Sequence, residues 1–221
     1  SSGLQYVSNS GIGFIGTMEG GTQGLNGSGD IGSITTMNKG CQDIWSGASG
    51  SVNVINGGSQ EVLSGGYGSI GTLNNGSQII YTKGTGSIGI LSGGVQGIGG
   101  GGTGNIGTMF DGRQDVAGTG SVTIMSGGTQ YVQAVNASGT VATMSDGTQL
   151  VDMGSGTVDT LSGGTQLIST RDPNYPASGT VNVMAGGRQA IAKGSGTIIT
   201  MLSGVQVVND YGSIGTMSSG G

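Results

Sequence analysis

The sequence predicts an all-β fold, a single-stranded parallel β-solenoid (β-helix) of about twelve coils of about 18 residues, with two short strands per coil. Three observations lead there. A glutamine recurs at Gln5, Gln23, Gln42, Gln60, Gln78, Gln96, Gln114, Gln130, Gln149, Gln166, Gln189 and Gln206, mostly 17 to 19 residues apart, with one step of 16 and one of 23. Repetition of one short unit is the signature of a stacked repeat. Two residues after each glutamine stands an aliphatic: Val7, Leu25, Ile44, Val62, Ile80, Ile98, Val116, Val132, Val151, Ile168, Ile191 or Val208. A second segment, spelled GSIGTL at 68–73, GNIGTM at 104–109 and GSIGTM at 212–217, carries its own apolar columns.

The glutamine strand comes first in each unit. Its flanking residues vary freely while the glutamine and the aliphatic stay, which is a period of two and therefore a strand with one face in and one out. The glutamine thus points inward beside the aliphatic. A buried amide is costly unless paired. Stacked at the strand spacing, each amide can donate to one neighbouring coil and accept from the other, so Gln23, Gln42, Gln60, Gln78, Gln96, Gln114, Gln130, Gln149, Gln166, Gln189 and Gln206 are expected to form an internal ladder.

The second strand begins with Ile15, Ile34, Val52, Ile70, Ile88, Ile106, Val122, Val141, Val158, Val181, Ile198 and Ile214. Two residues on stand Thr17, Thr36, Val54, Thr72, Ile90, Thr108, Ile124, Thr143, Thr160, Val183, Thr200 and Thr216. Threonine exchanging with valine and isoleucine reads as a buried β-branched site. The next residue is always Met, Leu or Ile and is expected to turn inward just before a corner; glycine-rich turns follow. Three aliphatics cannot offset the entropy of ordering a whole coil, so the coils must stack, sharing a backbone ladder and covering each other's edges.

Composition narrows the function. There are 53 glycines, 8% charged residues, no histidine and a net charge of −5. Glycine does not fall at every third position, which excludes collagen. The recurrent aliphatics argue against a disordered chain. Nucleic-acid binding needs clustered Lys and Arg, which are absent. No apolar run approaches the roughly 18 residues of a membrane span. Without histidine there is no Ser-His-Asp or Cys-His arrangement, and the chain is expected not to be an enzyme and to need no cofactor or metal. The carboxylates Asp43, Asp115, Asp152 and Asp159 occupy variable, outward positions and read as solvated charges. GIGGGGTGNIG at 97–107 lacks the Lys-Ser/Thr of a phosphate loop and matches the turn columns. The chain has no initiator Met and starts inside the repeat, so 1–221 is expected to be one continuous repeat domain cut from a longer protein.

Three irregularities stand out. RDPNYPA at 171–177 holds both prolines and lengthens one coil; an insertion in a solenoid leaves as a loop, making Asn174 and Tyr175 candidate contacts. Cys41 occupies an outward position where other coils carry Thr or Ser. Trp45, Leu63 and Tyr81 share one outward column on three successive coils, and Tyr131, Leu150, Leu167 and Val207 share another. Both columns are candidate interaction surfaces, since contiguous exposed hydrophobics mark contacts.

The pattern GG-[TS]-Q-x-V, a glycine turn, then [ST]-[IV]-x-T-[ML] resembles the passenger repeats of AIDA-type self-associating autotransporter adhesins of Gram-negative bacteria, most clearly over 3–209. The family often has Ala or Asn in the second strand where Gly, Ser and Met dominate here. The resemblance implies a β-helix displayed outside the cell at the bacterial surface, anchored through a region not in this chain. It also implies aggregation or biofilm formation by lateral self-association of rods, or binding to a cell-surface receptor, and O-glycosylation on repeat Ser/Thr. A passive stalk or matrix filament is the alternative. An ice-binding solenoid is a further one, disfavoured because only one outward hydroxyl row is evident, Ser33, Ser51, Ser69, Ser87, then Thr140, Thr157, Thr180 and Thr197.

Overall fold

The structure, a computed structural model, describes residues 2–218. It is an all-β parallel solenoid of about twelve turns of about 18 residues, with no helix among the described residues. The chain divides into two compact units, Ser1–Gly107 and Thr108–Gly221, and each is described by itself.

The first unit alternates short and seven-residue strands. The short ones are β1 (Ser2–Val7), β3 (Gly20–Leu25), β5 (Cys41–Ile44), β7 (Ser59–Val62), β9 (Ser77–Ile80) and β11 (Val95–Ile98). The longer ones are β2 (Ile12–Met18), β4 (Ile31–Met37), β6 (Ser49–Ile55), β8 (Tyr67–Leu73) and β10 (Thr85–Leu91), followed by β12 (Thr103–Met109), whose last two residues fall past Gly107. Each pairs in parallel with its counterpart one coil away, and in the short strands this sets glutamine against glutamine, as in Gln42↔Gln60 and Gln60↔Gln78. The second unit contains β13 (Arg113–Val116), β14 (Thr119–Leu161), β15 (Thr165–Ser169), β16 (Ala177–Lys193), β17 (Ser195–Val208) and β18 (Tyr211–Met217). There the two strands of a coil often run together around a corner without a break.

The inward columns form the core. Ile34, Met37 and Ile44 in one coil, and Val181, Met184 and Ile191 in another, are each at most 2% exposed. A further inward column consists of glycines, two residues before the first aliphatic. A Cβ on Gly50 would sit 2.4 Å from Ile44 Cδ1 and 2.7 Å from Gln42 Oε1. The two strands of a coil approach so closely here that nothing larger than hydrogen fits between them.

The threonine column departs from expectation. Thr17 and Thr143 are exposed and Thr36, Thr72 and Thr200 half-exposed; Ile90 and Ile124, on the same column, are 39% and 45% exposed. The strand bends between the two columns. In β6 and β8 the register runs Val52↔Ile70 and then Val54↔Thr72, so Asn53 and Gly71 drop out of it. This bend slips the alternation by one residue, placing two side chains outward in succession and turning Met, Leu or Ile inward at the next position. A straight strand would have buried the threonine.

Candidate interaction surfaces

The glutamine column is buried as expected from Gln23 to Gln189, with Gln5 and Gln206 half-buried because no full coil covers them at the two ends, and it forms two unbroken runs of side-chain bonds. In the first unit Gln23 Nε2 donates to Gln5 Oε1 at 2.6 Å, and Gln42, Gln60, Gln78 and Gln96 each donate to the preceding glutamine at 2.7 Å. In the second unit Gln130, Gln149, Gln166, Gln189 and Gln206 do the same at 2.7 Å, starting from Gln114. The second amide proton reaches inward backbone carbonyls, as from Gln78 to Gly68 O at 3.4 Å. Among the described residues no buried side-chain N or O lacks a partner. From Gln23 to Gln96 and from Gln114 to Gln189 the buried amides are internal structural groups.

A second amide ladder runs over the surface of the first unit. Asn74 Nδ2 donates to Asn56 Oδ1 at 2.9 Å, Asn56 to Asn38 at 3.0 Å, and Asn38 to Glu19 Oε1 at 2.8 Å. Its signal in the sequence is the Asn that follows the inward Met, Ile or Leu in three successive coils.

The column Trp45, Leu63, Tyr81 is brought together as expected. Each opens a tight turn: Ala48 N–H donates to Trp45 O at 3.0 Å, Gly66 to Leu63 O at 2.9 Å and Gly84 to Tyr81 O at 2.9 Å. The third residue of each turn has positive φ, 78° at Gly47, 75° at Gly65 and 63° at Lys83, as a type II turn requires. Trp45 is 51% and Tyr81 42% exposed, with Leu63 half-buried between them. The turns do not fold back over these side chains. The Tyr81 hydroxyl lies 3.4 Å from Glu61 Oε2, and the Glu61 charge raises its pKa.

In the other apolar column Tyr131 needs correction. Tyr131 is only 7% exposed, and Leu150, Leu167 and Val207 are half-buried. Asp152, expected at the surface, is 3% exposed. The reason is a network that sequence spacing does not reveal. Arg171 Nε pairs with Asp152 Oδ2 at 2.8 Å, Arg171 N–H donates to Asp152 Oδ1 at 2.9 Å, and the Tyr131 hydroxyl donates to Asp152 Oδ2 at 2.8 Å. Arg171 Nη2 also contacts the Tyr131 hydroxyl. The guanidinium of Arg113 stands 5.0 Å from the Tyr131 ring centre, and that of Arg171 5.8 Å. Burial, then the bond to Asp152, raises the Tyr131 pKa.

That network fastens the insertion. Strand β15 ends at Ser169 and β16 begins at Ala177, so the excursion spans 170–176 and the buried Ala177 already belongs to the coil. Asn174 and Tyr175 are exposed, the latter 46%.

Cys41 is half-buried and bonded. Its thiol donates to Asp43 Oδ1 at 2.7 Å and accepts from Ser59 Oγ at 3.2 Å. Cys41, Asp43 and Glu61 offer ligand atoms within 4.8 Å of one another. Burial, followed by the Asp43 hydrogen bond, pushes the thiol up to about 12. It therefore stays protonated near neutrality, as a donor inside a closed set of bonds.

The outward hydroxyls form two rows, not one. Each inward glycine of the longer strand is flanked by outward positions, and five units of the second half fill both: Thr119 and Ser121, Ser138 and Thr140, Ser155 and Thr157, Ser178 and Thr180, Ser195 and Thr197. Register Ser155↔Ser178↔Ser195 and Thr157↔Thr180↔Thr197 keeps the last three pairs aligned. In the first unit Ser49, Ser51, Tyr67, Ser69, Thr85 and Ser87 edge a shallow trough of about 270 Å³ floored by the glycines.

No protein-family model, curated protein or solved structure matches the chain. Among the described residues no helix is long and apolar enough to cross a membrane.

Proposed function

We propose that this chain is an adhesive segment displayed at a bacterial surface, which holds cells or surfaces together by lateral association of solenoid flanks. The observation that supports this is the column Trp45, Leu63, Tyr81, with both aromatics exposed and Leu63 half-buried between them, repeated on three successive coils. Exposed apolar groups in one line mark contact surfaces, and aromatic anchors dominate binding energy. Many weak contacts along two flanks add through effective concentration, and surfaces carrying many copies multiply them. The partner is a second copy, with a cell-surface receptor as the heterotypic variant. Repeat Ser and Thr hydroxyls facing outward are available for O-glycosylation. Sedimentation velocity of the chain beside a Trp45→Ser, Leu63→Ser, Tyr81→Ser variant tests the proposal. The chain should associate as its concentration rises and the variant should remain monomeric. A wild type that stays monomeric throughout would instead favour a passive stalk.

The double hydroxyl row favours a second reading, binding to ice. Neighbouring coils repeat at about 4.8 Å, and flanking positions on one strand lie about 6.6 Å apart, so the three aligned pairs Ser155 and Thr157, Ser178 and Thr180, Ser195 and Thr197 present a regular two-dimensional array of hydroxyls. Such an array can hold water in an ordered layer. Thermal hysteresis should then appear with the chain and be abolished by Thr157→Tyr, which breaks the array without touching the core. Freezing behaviour equal to that of an ordinary protein would remove this reading.

A further inference from the structure

The excursion at 170–176 is built more firmly than a tolerated bulge requires. The Thr170 hydroxyl lies 2.8 Å from both Asp172 O and Tyr175 O, Asp172 Oδ1 accepts from Asn174 N–H at 2.9 Å, and Tyr175 N–H closes a turn onto Asp172 O at 3.1 Å. Pro173 and Pro176 restrict φ on either side of the tip. Beneath, the loop is clamped through Arg171 to the buried Asp152 carboxylate. Burying a charge in this way is a poor source of net stability, but it holds one loop geometry.

What the loop holds up is exposed and mixed in chemistry. Tyr175 and Pro176 wall a hollow of about 290 Å³ together with Val135, Asn136 and Ser155. On the other side, Pro173 and Pro176 wall one of about 300 Å³ with Lys193, Ser195, Asp210 and Tyr211. Ser155 and Ser195 are two coils apart in register, so the hollows follow each other along the stacking direction at about 10 Å. Their charges are one Lys and one Asp, which leaves no sign preference for an anionic polymer. Each hollow has a tyrosine at its wall: Tyr175 is 46% and Tyr211 73% exposed. Flat aromatic faces attract the partly positive C–H groups of a pyranose ring through the ring quadrupole, while hydroxyl and amide groups beside them match the sugar's edge. Preorganisation lowers the entropy cost of such a weak ligand.

We propose that the two hollows flanking the loop bind a linear neutral oligosaccharide, with Tyr175 and Tyr211 as stacking platforms and Asn136, Ser155 and Ser195 as hydrogen-bonding groups. This site shares no residue with the Trp45 column, so the two can fail independently. Titration of the full chain with cellohexaose and with chitohexaose, followed by saturation-transfer NMR, is the test. At least one hexasaccharide should bind; Tyr175→Ala should weaken it about tenfold, Tyr175→Phe should stay within about threefold, and Trp45→Ser should bind as wild type. Circular dichroism of Tyr175→Ala should match the wild type, because the ring is exposed. Failure of both hexasaccharides to bind, or equal binding by Tyr175→Ala, overturns the proposal, as would binding of heparin alone.

Discussion

Gln78 shows how a polar side chain becomes structural. It is fully buried, donates to Gln60 Oε1 and accepts from Gln96 Nε2, both at 2.7 Å. Gln78→Leu leaves one donor and one acceptor without partners, at about 1–3 kcal/mol each. Gln78→Glu should cost more at neutral pH, since it buries a charge, and should recover partly in acid, where a protonated carboxyl can donate to Gln60 and still accept from Gln96. Urea denaturation at two pH values checks both outcomes; equal loss at either pH would contradict the burial of this position. Cys41 makes a second residue-scale expectation. With the thiol held up to about 12 by burial and by Asp43, the reactive thiolate is scarce at pH 8.5. Iodoacetamide should modify the folded chain far more slowly than the urea-unfolded one.

Within a coil, the glycines divide into those that fill no space by necessity and those that are incidental. Gly50→Ala drives a methyl into Ile44 and Gln42, which should destabilise by about 1–3 kcal/mol. Gly16 has nothing within 4 Å of an added Cβ and no positive φ. Gly16→Ala should therefore be neutral or stabilise by up to about 1 kcal/mol, through the unfolded state. Thermal melts of the two variants separate crowding from flexibility. The excursion at 170–176 has its own pH signature. The folded state keeps the Tyr131 phenol protonated through burial and Asp152. Because the folded pKa is raised, that contribution is complete below the ordinary tyrosine pKa near ~10 and is lost as pH rises through the folded value. Tyr131→Phe should accordingly flatten the alkaline limb of a stability–pH curve, and leave that limb unchanged only if the phenol is not part of the anchor.

At the scale of the molecule, two classes of surface compete for function: an apolar column in the first unit, and hydroxyl rows with a tyrosine-bearing loop in the second. Their forces respond differently to solvent. Association through Trp45, Leu63 and Tyr81 is apolar, so ammonium sulfate should strengthen it and cooling should weaken it. Contacts between opposite charges would instead weaken as salt screens them. Light scattering across salt and temperature distinguishes these; loss of association on adding sulfate would exclude the apolar column as the contact.

The repeat alone determined the fold. Twelve glutamines in step with twelve aliphatics leave one economical arrangement, because a strand period of two and a short coil both require stacking. The same column made the Gln ladder legible, since a recurring inward amide must find partners in its own kind. The Trp45 column was visible for the same reason: register carries an outward position from coil to coil. Tertiary structure decided what periodicity cannot encode. The bend after Ile70 turned Thr72 outward and Leu73 inward, and so created a second outward class of side chain. The burial of Tyr131 and Asp152 depended on Arg171, from an insertion outside the repeat. A repeat reports what every coil shares. A contact made once, between residues 40 positions apart, leaves no periodic trace and exists only when the chain has folded around it.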